Sequence, residues 1–519
     1  MNAHDRSARP SWHDRRLGRR KFLAGAAATV SAGAVVVRGA DVARAAPTGD
    51  GLHGLPLRGM YLTSKNRLAE GRFGAMFKSL PAFAPRDDLL EGLARTMVEP
   101  DTSDVFLATN PRLFAGFTFI GQFIDHDITF DNTPLDQQLA DPDATTNFRT
   151  PRYDLDSVYG RGPTTEPMFY DPTDPAKLRL EPNINGVLDL PRDGGGHAVI
   201  PEHRNDENLI IAQFHKAVVQ FHNKIVDLAR SQGVRSEWLF ETARRLTRWH
   251  YQWAVIHDFI PRFAGDELVG SSGAVYKEVP GKAPVINLNY YKPTNRTGRP
   301  FMPVEFAVAA YRFGHSIIRP FYVLNDTGVV DVFGPEGGRN LNGGRPIPAD
   351  LVIEWKNILP VDPNFPARKP RKIDTKLSIP LSNLPGSVVP PPDPQVNLAV
   401  RNTLRGKQVG LPSGQQVAKA MRAPVLSNAT LGMGGMSSDS GWGGEAPLWY
   451  YILREAELTY GGEQLGPVGG RIMAEVLVGL LQRDPNSYLY LNAAWKPDPA
   501  IAPKGTFGFV DLLKFAGAA

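Results

Sequence analysis

Residues 117–130, FTFIGQFIDHDITF, read as an apolar helix that ends on two carboxylates and an imidazole, Asp125, His126 and Asp127. A charged cluster at the end of a greasy helix costs free energy unless a metal, a cofactor or a partner charge compensates it. Any fold for this chain must supply that compensation. On spacing alone Gln122 and His126, four apart, share one face, while Asp125 and Asp127 point to either side. Taken by itself the DHD triplet is equally served by a capped helix end with solvated acids.

The rest of the chain favours helices. Asn110 and Pro111 form an N-cap and first-turn pair for the helix carrying Leu113 to Ile124, which is expected to end near Asp127. Further helices are expected from about Asn205 to Ser231, over SEWLFETARRLTRWHYQWAVIHDFIPRF, and over PVEFAVAAYRFGHSIIRPF from Pro303. Others are expected at 350–358, 396–404, 413–421, 448–460 and 470–483. Few segments alternate as strands, and the connections are rich in Gly and Pro, 51 and 45 in all. The expected fold is mainly α, one large domain with long loops and little β. The run LPGSVVPPPDP reads as a surface excursion within that domain rather than as a linker between two.

Composition narrows the chemistry. With 519 residues and 42% hydrophobic content the chain can bury a large core. Cysteine is absent, which excludes disulfides, Cys-ligated zinc, iron–sulfur clusters and thiolate-ligated haem. The net charge of +5 owes much to the first 44 residues, so the remainder is nearly neutral and no nucleic-acid partner is indicated. Residues 1–45 read as an export signal: RRLGRRKFLAG, an uncharged stretch from Phe22 to Val37, then small residues at Ala43 and Ala45. The pair Arg19–Arg20 followed by Lys21, Phe22 and Leu23 resembles a twin-arginine signal. It predicts a bacterial protein handled by the twin-arginine export machinery and secreted or extracytoplasmic, with no transmembrane segment after signal removal.

Four further stretches carry chemistry. RTPRYDLDSVYG offers Thr150, Asp154 and Asp156 as closely spaced oxygens suited to Ca²⁺, or an acidic turn. HRNDENLIIAQFH places Arg204 and Glu207 at a helix start, AYRFGHSIIRPF puts Arg312 one turn before His315, and NLAVRNTLRGKQVGLP sets Asn402 and Arg405 on one face.

The order GQFIDHD, RxxEN, YRFGH, RNxLRG, within a span from about Phe114 to Met421, resembles the animal-type haem peroxidases of the peroxidase–cyclooxygenase superfamily. The resemblance implies that residues 46–519 form a haem peroxidase domain that reduces H₂O₂ and oxidises a small electron donor such as a halide, thiocyanate or a phenol. It implies that His126 is the distal general base, Arg204 the distal arginine and Gln122 the distal glutamine. His315 would ligate the iron of haem b and Asn402 would accept a hydrogen bond from its other nitrogen. Arg312 and Arg405 would pair with propionates, and Asp125 and Glu207 would form haem esters. Asp127, Thr150, Asp154, Asp156 and the Arg152 carbonyl would bind Ca²⁺. Two departures stand out. Asn208 replaces the methionine of some mammalian members, and Asp156 replaces a serine, which should add negative charge and retain calcium.

Other readings remain at this point. A fatty-acid dioxygenase of the same superfamily needs a tyrosine three residues before the proximal histidine, where this chain has Arg312, with Tyr311 one residue further. A non-catalytic adhesion or matrix protein has no need of Gln122, His126, Arg204, His315 and Asn402. A mononuclear metal hydrolase lacks a second histidine at ligand spacing, His215 and His222 being seven apart.

Overall fold

The computed structural model describes residues 73–519 except 101–107, 131–146, 148, 293–299, 336, 387, 390–394 and 434–440. The expected signal segment and part of the LPGSVVPPPDP run lie outside the described residues. The longer helices among the described residues are α1 (Asp87–Arg95), α2 (Gly116–Ile128), α3 (Leu209–Ser231), α4 (Ser236–Ala254), α5 (Leu398–Gln408), α6 (Gly414–Ala420), α7 (Leu448–Tyr460), α8 (Pro467–Arg483) and α9 (Phe509–Ala516). Strands are confined to four sheets of two or three short members. None of the described helices is long and apolar enough to cross a membrane.

The helix α2 is the core element. It buries residues on every side, from Phe117 and Phe119 through Ile120, Gly121, Phe123 and Ile124 to Ile128, the pattern of a helix enclosed by others. Its neighbours α3 and α9 meet it through ring contacts, Phe123 to Phe214 at 5.1 Å and Phe117 to Phe509 at 6.5 Å. The C-terminal helix α9 was not anticipated from sequence, nor was α1.

The start of α2 differs from expectation. Asn110 does cap, but its Oδ1 accepts from Arg112 N and Leu113 N in a separate turn. The next amides are used elsewhere, Ala115 N donating to Arg368 O and Gly116 N to Ile358 O. The helix therefore begins at Gly116, where a Cβ would come within 2.6 Å of Leu359.

A second difference concerns the segment ending at His315. It is a π-helical turn, Glu305–Ala309, followed by a 3₁₀ turn, Ala310–His315, rather than one α-helix. Tertiary bonds impose this. The buried Glu305 carboxylate accepts from Met76 N and Phe77 N, and Trp449 Nε1 takes the Arg312 carbonyl. Residues at i and i+3 eclipse in a 3₁₀ turn, so Arg312 stands in register with His315. The expected helix at 350–358 is likewise two 3₁₀ turns, Ala349–Leu351 and Trp355–Asn357.

Buried histidines away from the charged cluster set an acid limit on the fold. On α4, His250 is fully buried, its Nδ1 donating to Leu246 O at 2.7 Å while its Nε2 accepts from Asp498 N at 3.1 Å. Both nitrogens are satisfied only in the neutral ring, and burial drops its pKa to about 4. A base with a lowered folded pKa contributes stability that is complete above its unfolded value near 6.5 and is lost as pH falls toward 4. At ~1.4 kcal/mol per pH unit the loss is about 3 kcal/mol. Chemical denaturation between pH 7 and pH 4 should show it, and His250→Gln should have a shallower slope; parallel curves for the two proteins would contradict the assignment.

Candidate active site

The C-terminal half of α2 presents Gln122, Asp125, His126 and Asp127. Facing it, a 3₁₀ turn at His203–Asp206 carries Arg204 and leads through Glu207 to Asn208, the N-cap of α3, whose side chain accepts from Ile210 N and Ile211 N. Glu207 and Gln122 are hydrogen-bonded through the amide nitrogen of the glutamine. The other end of that amide accepts from Asn208 Nδ2 at 3.1 Å. Gln122 is thus held at both ends, and Asn208, which the sequence suggested only as a departure, is half of its clamp.

The His126 ring is 5% exposed, with Nε2 3.7 Å from Glu207 Oε1. Burial, helped by the positive charge of Arg204, pushes its pKa down to about 3, so the ring is neutral. Glu207 behaves oppositely: burial, and then the neighbouring Glu202 and Asp125 against the pull of Arg204, raises its carboxyl to about 7. Its side chain nevertheless keeps 46% of its surface accessible. Glu207 thus sits among many protein atoms with one side of its carboxyl open. Asp125 is also raised, by burial, while it accepts from Thr129 Oγ1 at 2.8 Å.

Arg204 is anchored tightly. Its Nε and Nη2 donate to the two oxygens of Glu202 at 3.0 and 2.9 Å, and Nη2 also reaches the carbonyls of His126 and Thr129. Glu202 is 1% exposed and accepts as well from Arg149, at 2.8 and 2.5 Å. Although burial opposes it, the guanidiniums of Arg204 and Arg149 hold the Glu202 carboxyl well below the usual range. Neither Glu202 nor Arg149 was identified from sequence. An acid two residues before Arg204 was a usable signal; nothing marked Arg149.

Arg149 also pairs with Asp156. Its Nη1 lies 3.0 Å from Asp156 Oδ1, so the negative charge that Asp156 adds is offset from within the chain. Asp127, Asp154 and Asp156 do converge, with carboxylate oxygens all within 4.8 Å of one another. Asp127 accepts from Ser157 Oγ and Leu155 N, yet burial and the charges of Asp154 and Asp156 raise it well above the ordinary carboxylate value. On the same loop the buried Thr150 Oγ1 has no hydrogen-bond partner among the described residues. This donor set, hard oxygens with excess negative charge, fits Ca²⁺.

On the other element His315 Nδ1 lies 2.8 Å from the Asn402 amide of α5. The pairing is as expected but its polarity is reversed. Arg312 Nη1 donates to Asn402 Oδ1 at 2.5 Å, so the amide nitrogen is the end turned toward His315. Burial, with Arg312 beside it, lowers the His315 pKa to about 3. Apart from its chain neighbours and the backbone of its own turn, nothing lies within 4 Å of a Cβ placed on Gly314, the residue before His315. Arg405, half-buried, follows Asn402 by one turn of α5. The positive charges of Arg204 and Arg312 both oppose the rise that burial causes at the Asp125 carboxyl, so the two elements lie near one another there. A buried imidazole, nearby guanidiniums and desolvated carboxyls fit an anionic, iron-bearing macrocycle.

Comparison with known proteins agrees with this fold. The structure resembles peroxidase A from Dictyostelium discoideum, with a TM-score of 0.60 at 14% identity over 86% of this chain and 93% of that one. It also resembles fatty acid alpha-dioxygenases, from Arabidopsis thaliana (TM-score 0.52, 14% identity, 85% and 75% covered) and from Oryza sativa (TM-score 0.53, 15% identity, 84% and 81% covered). At such identities the likeness is one of fold, the mainly α fold of the haem peroxidases. No curated protein matches the chain. The profile of the animal haem peroxidases matches residues 132–430, a span that includes Arg204, Glu207, His315 and Asn402. The chain belongs to the animal haem peroxidase family, within the peroxidase–cyclooxygenase superfamily of oxidoreductases, and membership implies that it binds haem.

Proposed function

We propose that this protein is an exported peroxidase that reduces H₂O₂ and oxidises small donors, a halide, thiocyanate or a phenol. The observation that carries the reading is the buried, neutral His126 imidazole, held near the clamped Gln122 and the anchored Arg204. Haem b, when bound, supplies the iron at which peroxide is reduced. His126 accepts a proton from the peroxide at Nε2 and returns it to the departing oxygen, a role that requires a neutral ring. Arg204 provides a fixed positive charge where negative charge develops, and its bonds to Glu202 and two backbone carbonyls mean that little reorganisation accompanies the reaction. Gln122 orients a water or small anion. His315 is the proposed iron ligand. Ligation at Nε2 calls for donation from Nδ1, so the Asn402 amide must then turn by 180° from the orientation that Arg312 holds.

Asp125 and Glu207, whose carboxyls burial pushes above their ordinary values, are the proposed ester positions, Arg312 and Arg405 the propionate partners, and Asp127, Thr150, Arg152, Asp154 and Asp156 the calcium set. Residues 1–45 are proposed to direct the chain to the twin-arginine route and residues 46–519 to form the mature domain.

The dioxygenase alternative is weakened by Tyr311. Its hydroxyl donates to Gly121 O at 3.1 Å and its ring packs on Phe306 and Phe259. A carbonyl cannot take the phenolic proton, as formation of a tyrosyl radical would require. The protein purified after growth with ample haem should show a Soret band that shifts on adding H₂O₂ and returns on adding a phenolic donor; absence of the band would overturn the reading.

A further inference from the structure

We infer that Asn205 is a positioning residue that fixes the tautomer and plane of the His126 ring, with His215 as its anchor. The inference rests on His126 being the base in the proposed reaction. Asn205 lies on the same 3₁₀ turn as Arg204, and its side chain bridges two imidazoles. Oδ1 is 2.9 Å from His126 Nδ1, and Nδ2 is 3.1 Å from His215 Nδ1 on α3. An amide oxygen only accepts and an amide nitrogen only donates. His126 must therefore carry its proton on Nδ1, which leaves the Nε2 lone pair bare toward Glu207. His215 must in turn accept at Nδ1 and hold its own proton on Nε2.

The three residues act as one unit because none can change alone. Turning the amide over would present Nδ2 to His126, force its proton onto Nε2 and remove the base, and would also demand the other tautomer of His215. Water cannot stand in, since Asn205, His215 and His126 are 0%, 1% and 5% exposed. The edge of the His215 ring is packed against Phe123 of α2, 6.0 Å between centroids. One short turn thus sets both catalytic elements, the charge of Arg204 through Glu202 and the tautomer of His126 through Asn205.

The inference can be read without turnover. Cyanide reaches a haem pocket as HCN and gives its proton to the distal base as the anion binds, so its association rate, followed at the Soret band in stopped flow, reports the bare Nε2. At equal haem content Asn205→Leu should slow cyanide association on the order of 10²-fold, and the reaction with H₂O₂ in parallel. Asn205→Asp keeps the acceptor toward His126, with the His215 proton moving to Nδ1 to meet the second oxygen, and should stay within a few-fold of wild type. Wild-type rates in Asn205→Leu, or equal slowing in both variants, would overturn the inference, because packing rather than the acceptor would then be at work. If Asn205→Leu does not take up haem, His215→Phe serves instead, with about tenfold slowing expected and a wild-type rate overturning the anchor role. His126→Ala is the control. If it leaves cyanide association unchanged, the base assignment itself fails; if it slows association while Asn205→Leu does not, only the present inference fails.

Discussion

His126→Ala is expected to slow the reaction of the haem-loaded protein with H₂O₂ by roughly 10²- to 10⁴-fold, the range ordinarily contributed by a positioned acid–base group. The Soret band should be retained, because His315 and Asn402 lie on different elements from α2. The residual rate is itself informative. Glu207 Oε1 lies 3.7 Å from His126 Nε2 and its carboxyl titrates at about 7. A free Glu207 becomes a base only as pH rises through that value, so the residual rate of His126→Ala should climb between pH 6 and pH 8. A carboxyl consumed in a haem ester cannot titrate, and the residual rate should then be flat. Stopped-flow rates equal to those of the wild type would end the assignment of His126. Acidified-solvent extraction after peroxide treatment gives an independent check on the ester, since linked haem stays with the protein.

The site was legible where chemistry is carried by local spacing. The face shared by Gln122 and His126 follows from residue type and period, the convergence of Asp127 with Asp154 and Asp156 was implied by the family resemblance, and the structure brings both sets together. What escaped was set by bonds between distant segments. Asn110 looked like the cap of α2 because its side chain does cap a turn, but Arg368 and Ile358 claim the next amides. His315 looked α-helical because periodicity cannot register Glu305 holding the backbone at 76 and 77. Asn205 and His215 look like polar residues at a helix start and on its inner face, and nothing in their spacing reveals that one amide joins two imidazoles. The helix α9 was a missed signal of a simpler kind: Phe509, Leu512, Leu513 and Ala516 have helical spacing and all are buried.

Glu202→Leu should be among the most damaging single substitutions in the protein. Glu202 is the common counter-charge of Arg149 and Arg204, whose side chains are 6% and 18% exposed. Removing one partner of a buried ion pair typically costs about 3–5 kcal/mol, because the remaining charge is stranded. Here two guanidiniums lose a partner at once, and Arg204 also loses the contact that fixes it beside His126. Glu202→Gln keeps an acceptor for Arg204 N and should fall between wild type and Glu202→Leu. The double variant Arg149→Met with Glu202→Leu removes one charge of each sign and should recover part of the loss. It exposes a second dependence, however. Without Arg149 the Asp127, Asp154 and Asp156 carboxylates have lost the guanidinium that lies 3.0 Å from Asp156. A bound cation must then balance them, so EDTA should lower the midpoint of thermal unfolding much more in the double variant than in the wild type, and Ca²⁺ should restore it. If Glu202→Leu unfolds within 1 kcal/mol of the wild type, or if the double variant is indifferent to EDTA, the chain of charges from Asp156 through Arg149 and Glu202 to Arg204 does not couple the acidic cluster to the distal arginine.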